Sequence, residues 1–416
     1  MFAVLGSIIF WFPSRHLYVI GVTGTKGKST VLELMDAIFE AAGKRTALFS
    51  SVRRKIAAKD ALNVSGNTMP GRFSIQWFLR EALNTRCEYV FIEVTSQGVL
   101  QHRHRFIDWD AAVFINLAPE HIESHGSFEL YRDAKVEFFR SLARSRKPKK
   151  LFLINEDDDN HHYFENAAHD IRNAEIIFFS RSRFIREELR GHYDMHSKKG
   201  KQVVADWLLA DFNLENAAAA VAFARSQGIG WEIIKKALET FRGVPGRLEF
   251  VQKMPFAVVV DYAHTPDSLE KVYKTLRPEI LHPRSAGDMI CVLGAAGGGR
   301  DKWKRPEMGR IAATYCDKIV LTTEDPYDEP SGEIIKQIEE GFLNAPKSHA
   351  RPENYWNIPD RRLAIRKALS EAHKGDVVIL TGKGSEQWIH MEHGKKIPWN
   401  ERKIVEEELE RLRSAM

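Results

Sequence analysis

The chain is poor in cysteine, has no long apolar run and carries no strong excess of one charge. Only three of its 416 residues are cysteine. Cys87, Cys291 and Cys316 form no CxxC pair and no zinc-ligand spacing, which excludes a disulfide scaffold and a zinc framework. The expected state of all three is a free thiol in a reducing cytoplasm. No stretch approaches the ~20 apolar residues that cross a bilayer. The apolar segment Phe2–Phe12 is too short, and it lacks the basic flank and small-residue cleavage site of a signal peptide. It reads as a helix docked on the body, with a weak membrane-surface or protein contact through residues 2–12 as the other reading. Lys plus Arg number 61 against 56 Asp plus Glu, a net charge of +5 that is too mild to call for nucleic acid. His102, His104, His161 and His162 sit in no HExxH or Cys/His framework, so surface or supporting roles are expected of them.

What is present describes an ordinary globular protein, 44% hydrophobic and 28% charged, long enough for two or three domains. Residues 18–23, YVIGVT, read as a buried strand. A helix is expected from about Ser29 to Ala42, with Leu32, Met35, Ile38 and Phe39 on one face. Apolar runs follow at 89–94, 111–116, 151–155 and 176–180, and an alanine-rich buried helix at 213–225. The pattern restarts after Pro245-Gly246, with strand-like runs at 257–260, 289–293, 318–322 and 377–380. Strands alternating with helices predict an α/β protein. The expected division is a short apolar segment at 1–16, a central phosphate-loop-type domain at 17–244 with a mainly parallel sheet, and a Rossmann-like α/β domain at 245–416.

Between the first strand and first helix lies Gly24-Thr25-Lys26-Gly27-Lys28-Ser29-Thr30. Glycines let backbone N–H groups approach phosphate oxygens, and the helix start adds a positive dipole. Lys28 is placed to reach the β- and γ-phosphates, and Ser29 or Thr30 to hold Mg²⁺. The pattern is the short form GTxGKS, since Val22 stands where the longer phosphate-loop motif has its first glycine. The reading is ATP or GTP binding.

GTKGKST is the first of a series of segments that together resemble the Mur ligase superfamily, in its MurE-like branch. Glu93–Arg103 resembles the EVSSH-type segment, with Thr95 and Gln97 replacing its usual Ser and His. Asn116-Leu117, Glu120-His121 and His125-Gly126 resemble the NL…DHxDxHG segment. Tyr131–Lys135 matches YxxAK, Asn155 with Asp157-Asp158 matches INxDD, and Asn213–Ala218 matches NxxNAA. Asp261–Asp267 matches DYAHTPD, Gly299–Pro306 matches GxRDxxKRP, and Thr381–Glu386 resembles the GKGHE loop.

The resemblance implies an ATP- and Mg²⁺-dependent ligase of cell-wall precursor synthesis. Such an enzyme activates a carboxylate as an acyl phosphate, which an amino acid's amine then attacks. It implies catalytic roles for Lys28, Glu93, His121 and Lys135, with Ser29, Glu93, His121 and a carbamylated Lys135 as metal ligands. Asn216, Arg247, Asp261 and His264 would join Gly24–Thr30 in holding ATP, with domain closure bringing the C-terminal domain over the nucleotide. Thr68, Ser96, Gln101 and Arg103 would hold the acceptor, a UDP-MurNAc-dipeptide-like molecule. Arg300, Glu324, Asp325, Tyr327, Asp328, Gly382 and Glu386 would hold the amino acid. Tyr327 stands where members specific for diaminopimelate carry the Arg of DNPR. Four acids surround it, so the expected amino acid is cationic, such as L-lysine. Only about 17 residues precede the first strand, so the family's UDP-binding N-terminal domain is expected to be missing. That keeps two alternatives open: a peptide or carboxylate acceptor without UDP, as in cyanophycin or polyglutamate synthesis, and a non-catalytic ATP-binding partner subunit.

Overall fold

The computed structural model describes residues 2–63, 67–120, 125–189, 206–277, 281, 287–299, 302–345, 348–349 and 352–414. The chain divides into two compact units, Met1–Arg242 and Gly243–Met416.

The first unit is built on eight strands: β1 (Tyr18–Thr23), β2 (Thr46–Phe49), β3 (Arg53–Ile56), β4 (Lys59–Leu62), β5 (Tyr89–Glu93), β6 (Ala111–Phe114), β7 (Lys150–Asn155) and β8 (Ala174–Phe179). Their order is β4-β3-β2-β5-β1-β6-β7-β8. β2, β5, β1, β6, β7 and β8 run parallel, and β3 and β4 add an antiparallel edge. Alternation of side chains along each strand splits the core into two faces. Val19, Val90, Ile92, Ala112 and Phe114 pack with the helices Arg72–Asn84, Phe128–Ser141 and His161–His169. Ile20, Val22, Phe91, Ala111 and Val113 pack with the helices Lys28–Ala41, Asp211–Ser226 and Trp231–Thr240. Both faces are covered, which is why these strands are apolar almost throughout. The helix Phe2–Ile9 packs on the helix Arg72–Asn84, with Phe10 edge-on to Phe73, and leaves Leu5, Ile8, Ile9 and Trp11 exposed. Among the described residues no helix is long and apolar enough to cross a membrane.

The second unit has six strands: β9 (Glu249–Gln252), β10 (Ala257–Val260), β11 (Met289–Leu293), β12 (Lys318–Leu321), β13 (Tyr355–Asn357) and β14 (Val377–Leu380). Their order is β13-β12-β11-β14-β10-β9, with only β9 antiparallel. A separate hairpin pairs β15 (Trp388–His390) with β16 (Lys396–Pro398). The helices Arg361–Ser370 and Glu401–Ser414 cover one face of the sheet.

The cysteines depart from the sequence expectation. Cys291 and Cys316 form a disulfide, and only Cys87 is a free, buried thiol. Cys291 lies in the middle of β11, and Cys316 lies just before β12, the strand that pairs with β11. That pairing brings the two Cα atoms to 6.0 Å, within bridging range.

Candidate active site

The first unit places its polar constellation at the C-terminal ends of β1, β5 and β6, where parallel α/β sheets hold ligands. Gly24–Gly27 turn from β1 into the helix that opens at Lys28, with Gly27 in the left-handed region at φ 85°. Asn116, just past β6, fixes this turn: its Oδ1 accepts the Thr25 and Lys26 backbone N–H groups at 3.1 and 2.9 Å. Its own position is held by the DD segment behind it. Asp158 Oδ2 accepts the Leu117 N–H at 2.8 Å, and Asn155 Nδ2 donates to the Ile115 carbonyl at 2.8 Å.

Two lysines converge on the turn. Lys28 Nζ donates to the carbonyls of Gly24 and Thr25 at 3.0 and 2.9 Å and lies 3.8 Å from Glu93 Oε1. Lys135, 2% exposed, donates to the same Gly24 carbonyl at 2.7 Å, its ammonium 4.7 Å from the Tyr131 ring centre. Burial, then the Lys28 ammonium, pushes the Lys135 amine well below its ordinary range. Glu93, at the end of β5, accepts from Ser29 Oγ and from the Ser51 N–H, both at 2.9 Å on Oε2. Lys26 pairs with Glu120 at 2.7 Å, and Thr25 Oγ1 lies 3.1 Å from the Tyr131 hydroxyl. Thr30 is buried in the first turn of the helix. Asn216 packs its Oδ1 against Gly27, where an added Cβ would lie 2.2 Å away.

Among the described residues no cluster of three or more His, Cys, Asp or Glu side chains gathers for a metal. Mg²⁺ at nucleotide sites rests on one or two protein oxygens, the remainder coming from phosphates and water. The adjacent Ser29 hydroxyl and Glu93 carboxylate are such hard donors, so the residues present fit that ion. His121 falls outside the described residues.

The acceptor residues expected from sequence divide into two groups. Arg103 donates to the Met69 carbonyl and to Asn67 Oδ1, so it braces the turn that carries half-buried Thr68. Ser96 starts a short helix capped by Thr95, and its Oγ lies 3.1 Å from His125 Nε2. Gln101 is exposed at that helix's end. His125 is pulled down in pKa by burial, then by Lys135, which links it electrostatically to the phosphate loop.

In the second unit two of the expected residues, Asp325 and Glu386, meet at Lys383. Its Nζ reaches Asp325 Oδ1 at 2.8 Å and Glu386 Oε2 at 2.7 Å. The Tyr262 hydroxyl donates to Glu386 Oε1 at 3.0 Å, and the Arg247 guanidinium stacks on the Tyr262 ring at 4.1 Å. Asp261 accepts the backbone N–H groups of Leu248 and Ala263, both at 2.7 Å, and His264 Nδ1 lies 2.7 Å from the Tyr262 carbonyl. Gly382, at φ 101°, lets Glu324 pack where a Cβ would lie 2.4 Å from its Oε2. Arg300 falls outside the described residues.

The acids around Tyr327 do not form an open acidic surface. Asp325 is engaged by Lys383 and by the His390 N–H, and Asp328 caps the His393 N–H. Glu329 pairs with Arg305 and Lys302 and accepts the Gly299 N–H. Glu324 alone is buried with an oxygen, Oε2, that has no hydrogen-bond partner among the described residues. Burial lifts its carboxyl to about 7. Tyr327, at φ 50°, stacks on His390. Sequence reasoning missed Arg361 and Glu401, a buried pair whose guanidinium also bonds the Thr323 and Thr381 carbonyls beside these loops.

Gly27 gives the site's first prediction. Alanine there would meet both a disfavoured φ, at about 1–2 kcal/mol, and the Asn216 amide. Gly27→Ala is expected to weaken ATP binding by about tenfold or more, the equivalent of ~1.4 kcal/mol. Gly43→Ala, at φ 75° with nothing within 4 Å of the new Cβ, carries the strain without the clash and is expected to leave affinity unchanged. Nucleotide titration of both variants checks this.

Comparison with known proteins follows this geometry. The Mur ligase middle domain family matches residues 22–224, and the Mur ligase glutamate ligase domain family matches residues 246–384. The chain is 35% identical over 411 residues to a UDP-N-acetylmuramoyl-L-alanyl-D-glutamate–2,6-diaminopimelate ligase of Syntrophomonas wolfei, covering 97% of this chain and 81% of that one. It is 34% identical to a UDP-N-acetylmuramyl-tripeptide synthetase of a Roseiflexus species, covering 96% and 80%. Among solved structures, a diaminopimelate ligase of the same description aligns at a TM-score of 0.59 and 25% identity, over 95% of this chain and 79% of that one. A Mycobacterium tuberculosis folylpolyglutamate synthase aligns at a TM-score of 0.66 and 15% identity over 91% of both chains, a likeness of fold.

Proposed function

We propose, since this chain belongs to the Mur ligase family, that it joins an amino acid to the carboxylate of a UDP-MurNAc-dipeptide-like acceptor at the expense of ATP. The observation that carries this reading is the convergence of Lys28, Lys135, Ser29 and Glu93 on the Gly24–Gly27 turn. Phosphoryl transfer to the acceptor carboxylate gives an acyl phosphate and ADP. The amino acid's amine then attacks the acyl carbon, loses a proton and expels phosphate. The protein's part is positioning and charge neutralisation.

Each residue has a task in that scheme. The Thr25–Ser29 backbone and Lys28 would cradle the β- and γ-phosphates, so Lys28 would exchange its two loop carbonyls for phosphate oxygens. Ser29 and Glu93 would hold Mg²⁺, with His121 as the further ligand the resemblance implies. When bound, the cation neutralises charge on the transferring phosphoryl group. Lys135 would serve as a carbamate. Arg247, Asp261 and His264 would contact ATP, and Ser96, Thr68, Gln101 and Arg103 the acceptor. Arg300 would take the amino acid's α-carboxylate, with Glu386 facing its amine or side chain.

For the amino acid we propose a cationic side chain such as that of L-lysine. What supports this is Tyr327 in place of an arginine, together with Glu324, a buried acid three residues before it. The test is amino-acid-dependent phosphate release with UDP-MurNAc-L-Ala-D-Glu and ATP, supplied with lysine, ornithine or diaminopimelate, and mass analysis of the product. Turnover is expected, fastest with lysine. Faster turnover with diaminopimelate overturns the amino-acid reading alone. No product with any of the three, from protein that binds ATP, overturns the acceptor reading.

A further inference from the structure

A second concave site lies at the opposite end of the first unit's sheet. It is a cavity of about 360 Å³, formed by Phe12 and Arg15 ahead of β1, residues 104–108 ahead of β6, and Ser141, Arg144 and Arg146 ahead of β7. β1, β6 and β7 are parallel, so these segments meet at the strands' N-terminal ends, while the phosphate loop leaves the C-terminal end of β1. The length of β1 separates the two by about 20 Å, at ~3.3 Å per residue. Cavities of this size commonly hold small ligands.

Its charge is one-sided. Arg15, Arg105, Arg144 and Arg146 line it with a single acidic residue, Asp108. That carboxylate is already engaged, accepting the Arg146 N–H at 2.8 Å and Arg15 Nε at 3.4 Å. Arg144 reaches Glu137 at 3.3 Å in an exposed pair, which holds it only weakly.

His104 is the independent second observation. It lines the same cavity and is 2% exposed, yet neither ring nitrogen has a hydrogen-bond partner among the described residues. Its backbone is satisfied, since its carbonyl accepts Trp109 Nε1 at 3.0 Å. Buried polar groups in native proteins are almost always paired, because leaving one without a partner costs its full desolvation penalty. Burial, then Arg105, pushes this imidazole down to about 4, so it stands neutral with one N–H to donate. Arginine forks around one mouth, with a neutral donor buried in the lining, suit a tetrahedral oxyanion, whose several oxygens can occupy more than one guanidinium.

We infer that this cavity binds a phosphomonoester group, with Arg105, Arg144 and Arg146 on its oxygens and His104 hydrogen-bonded to one of them. The site is separate from the nucleotide loop and stands whether or not the ligase reading holds.

The test uses the full chain with its phosphate loop saturated by Mg²⁺ and a non-hydrolysable ATP analogue. Equilibrium dialysis with glycerol 3-phosphate is expected to show one bound equivalent. Affinity is expected to fall by about tenfold or more in the exposed pair Arg105→Glu/Arg146→Glu, as loss of charge-assisted hydrogen bonds requires. In a parallel arm the protein is sedimented with phosphatidylcholine vesicles with and without phosphatidic acid. Binding in either arm that the double variant loses supports the site, and the arm says whether the phosphate is soluble or a lipid headgroup. No binding in either arm, or binding that the double variant keeps, overturns it. His104→Leu separates a ligand-facing imidazole from a merely buried one. Unchanged phosphate affinity in that variant removes His104 from the proposal.

Discussion

Lys135→Ala is expected to lower turnover by about a hundredfold or more, the scale on which loss of one preorganised electrostatic group acts. The argument starts from burial. A lysine that is 2% exposed, beside the Lys28 ammonium and with one carbonyl in reach, is costly to keep charged. A neutral amine has the lone pair that carbon dioxide requires. Nitrogen attacks the carbon of CO₂, loses a proton to solvent, and leaves a carbamate anion where a neutral amine stood. The change would place a negative charge beside Lys28 and an oxygen donor in the neighbourhood of Glu93. Under the ligase reading proposed above, carbamylation would be the form in which Lys135 assists phosphoryl transfer.

The measurements separate chemistry from packing. Formate or acetate added to Lys135→Ala is expected to restore part of the rate, because a small carboxylate can occupy the space of the missing carbamate. The protein incubated with ¹³C-labelled bicarbonate is expected to show a carbamate carbon resonance that the variant lacks. A variant with full activity would exclude the role outright. A rate loss without rescue, in protein that shows no carbamate signal, leaves Lys135 as a support for the Gly24 carbonyl only.

Much of the first unit was legible because its signals are local. Apolar β1, the glycine turn and the amphipathic helix after it lie within one stretch of chain, and the structure places them as read. Strands β2, β3 and β4 were not legible. Each has four residues; KDAL is exposed throughout, and the charges of RRKI are met by Asp36 and Glu81, partners that lie elsewhere in the chain. The acids around Tyr327 show another limit. Composition counts them as a pool of negative charge, but Lys383, Arg305 and Lys302 neutralise them from loops and helices that sequence does not place nearby. The Cys291–Cys316 bridge escaped for the same reason, since β-strand pairing, not spacing, brings the two together. Asn116 could have been found: an Asn directly after a strand next to the phosphate-loop strand is placed to accept that loop's N–H groups.

Arg361→Met is expected to destabilise the second unit by about 3–5 kcal/mol, the loss seen when one partner of a buried ion pair is removed. Arg361 is 2% exposed and Glu401 1%. The guanidinium holds both carboxylate oxygens, and it also donates to the carbonyls of Thr323 and Thr381 at 3.3 and 2.7 Å. Those carbonyls precede Glu324 and Gly382, so one side chain fixes both loops that carry the expected amino-acid site. Removing it leaves the Glu401 carboxylate in the core without its guanidinium partner, and among the described residues the Trp399 Nε1–H, at 2.5 Å, is the one donor it keeps. It also strips two loop carbonyls of a donor. Arg361→Met/Glu401→Leu removes both charges and is expected to recover most of the lost stability in denaturant titrations. Activity is expected to follow a different course. If the arginine positions the loops, the double variant folds but keeps a raised KM for the amino acid, because the Thr323 and Thr381 carbonyls are still unheld. A double variant that regains both stability and the parental KM would show that the pair serves the fold alone.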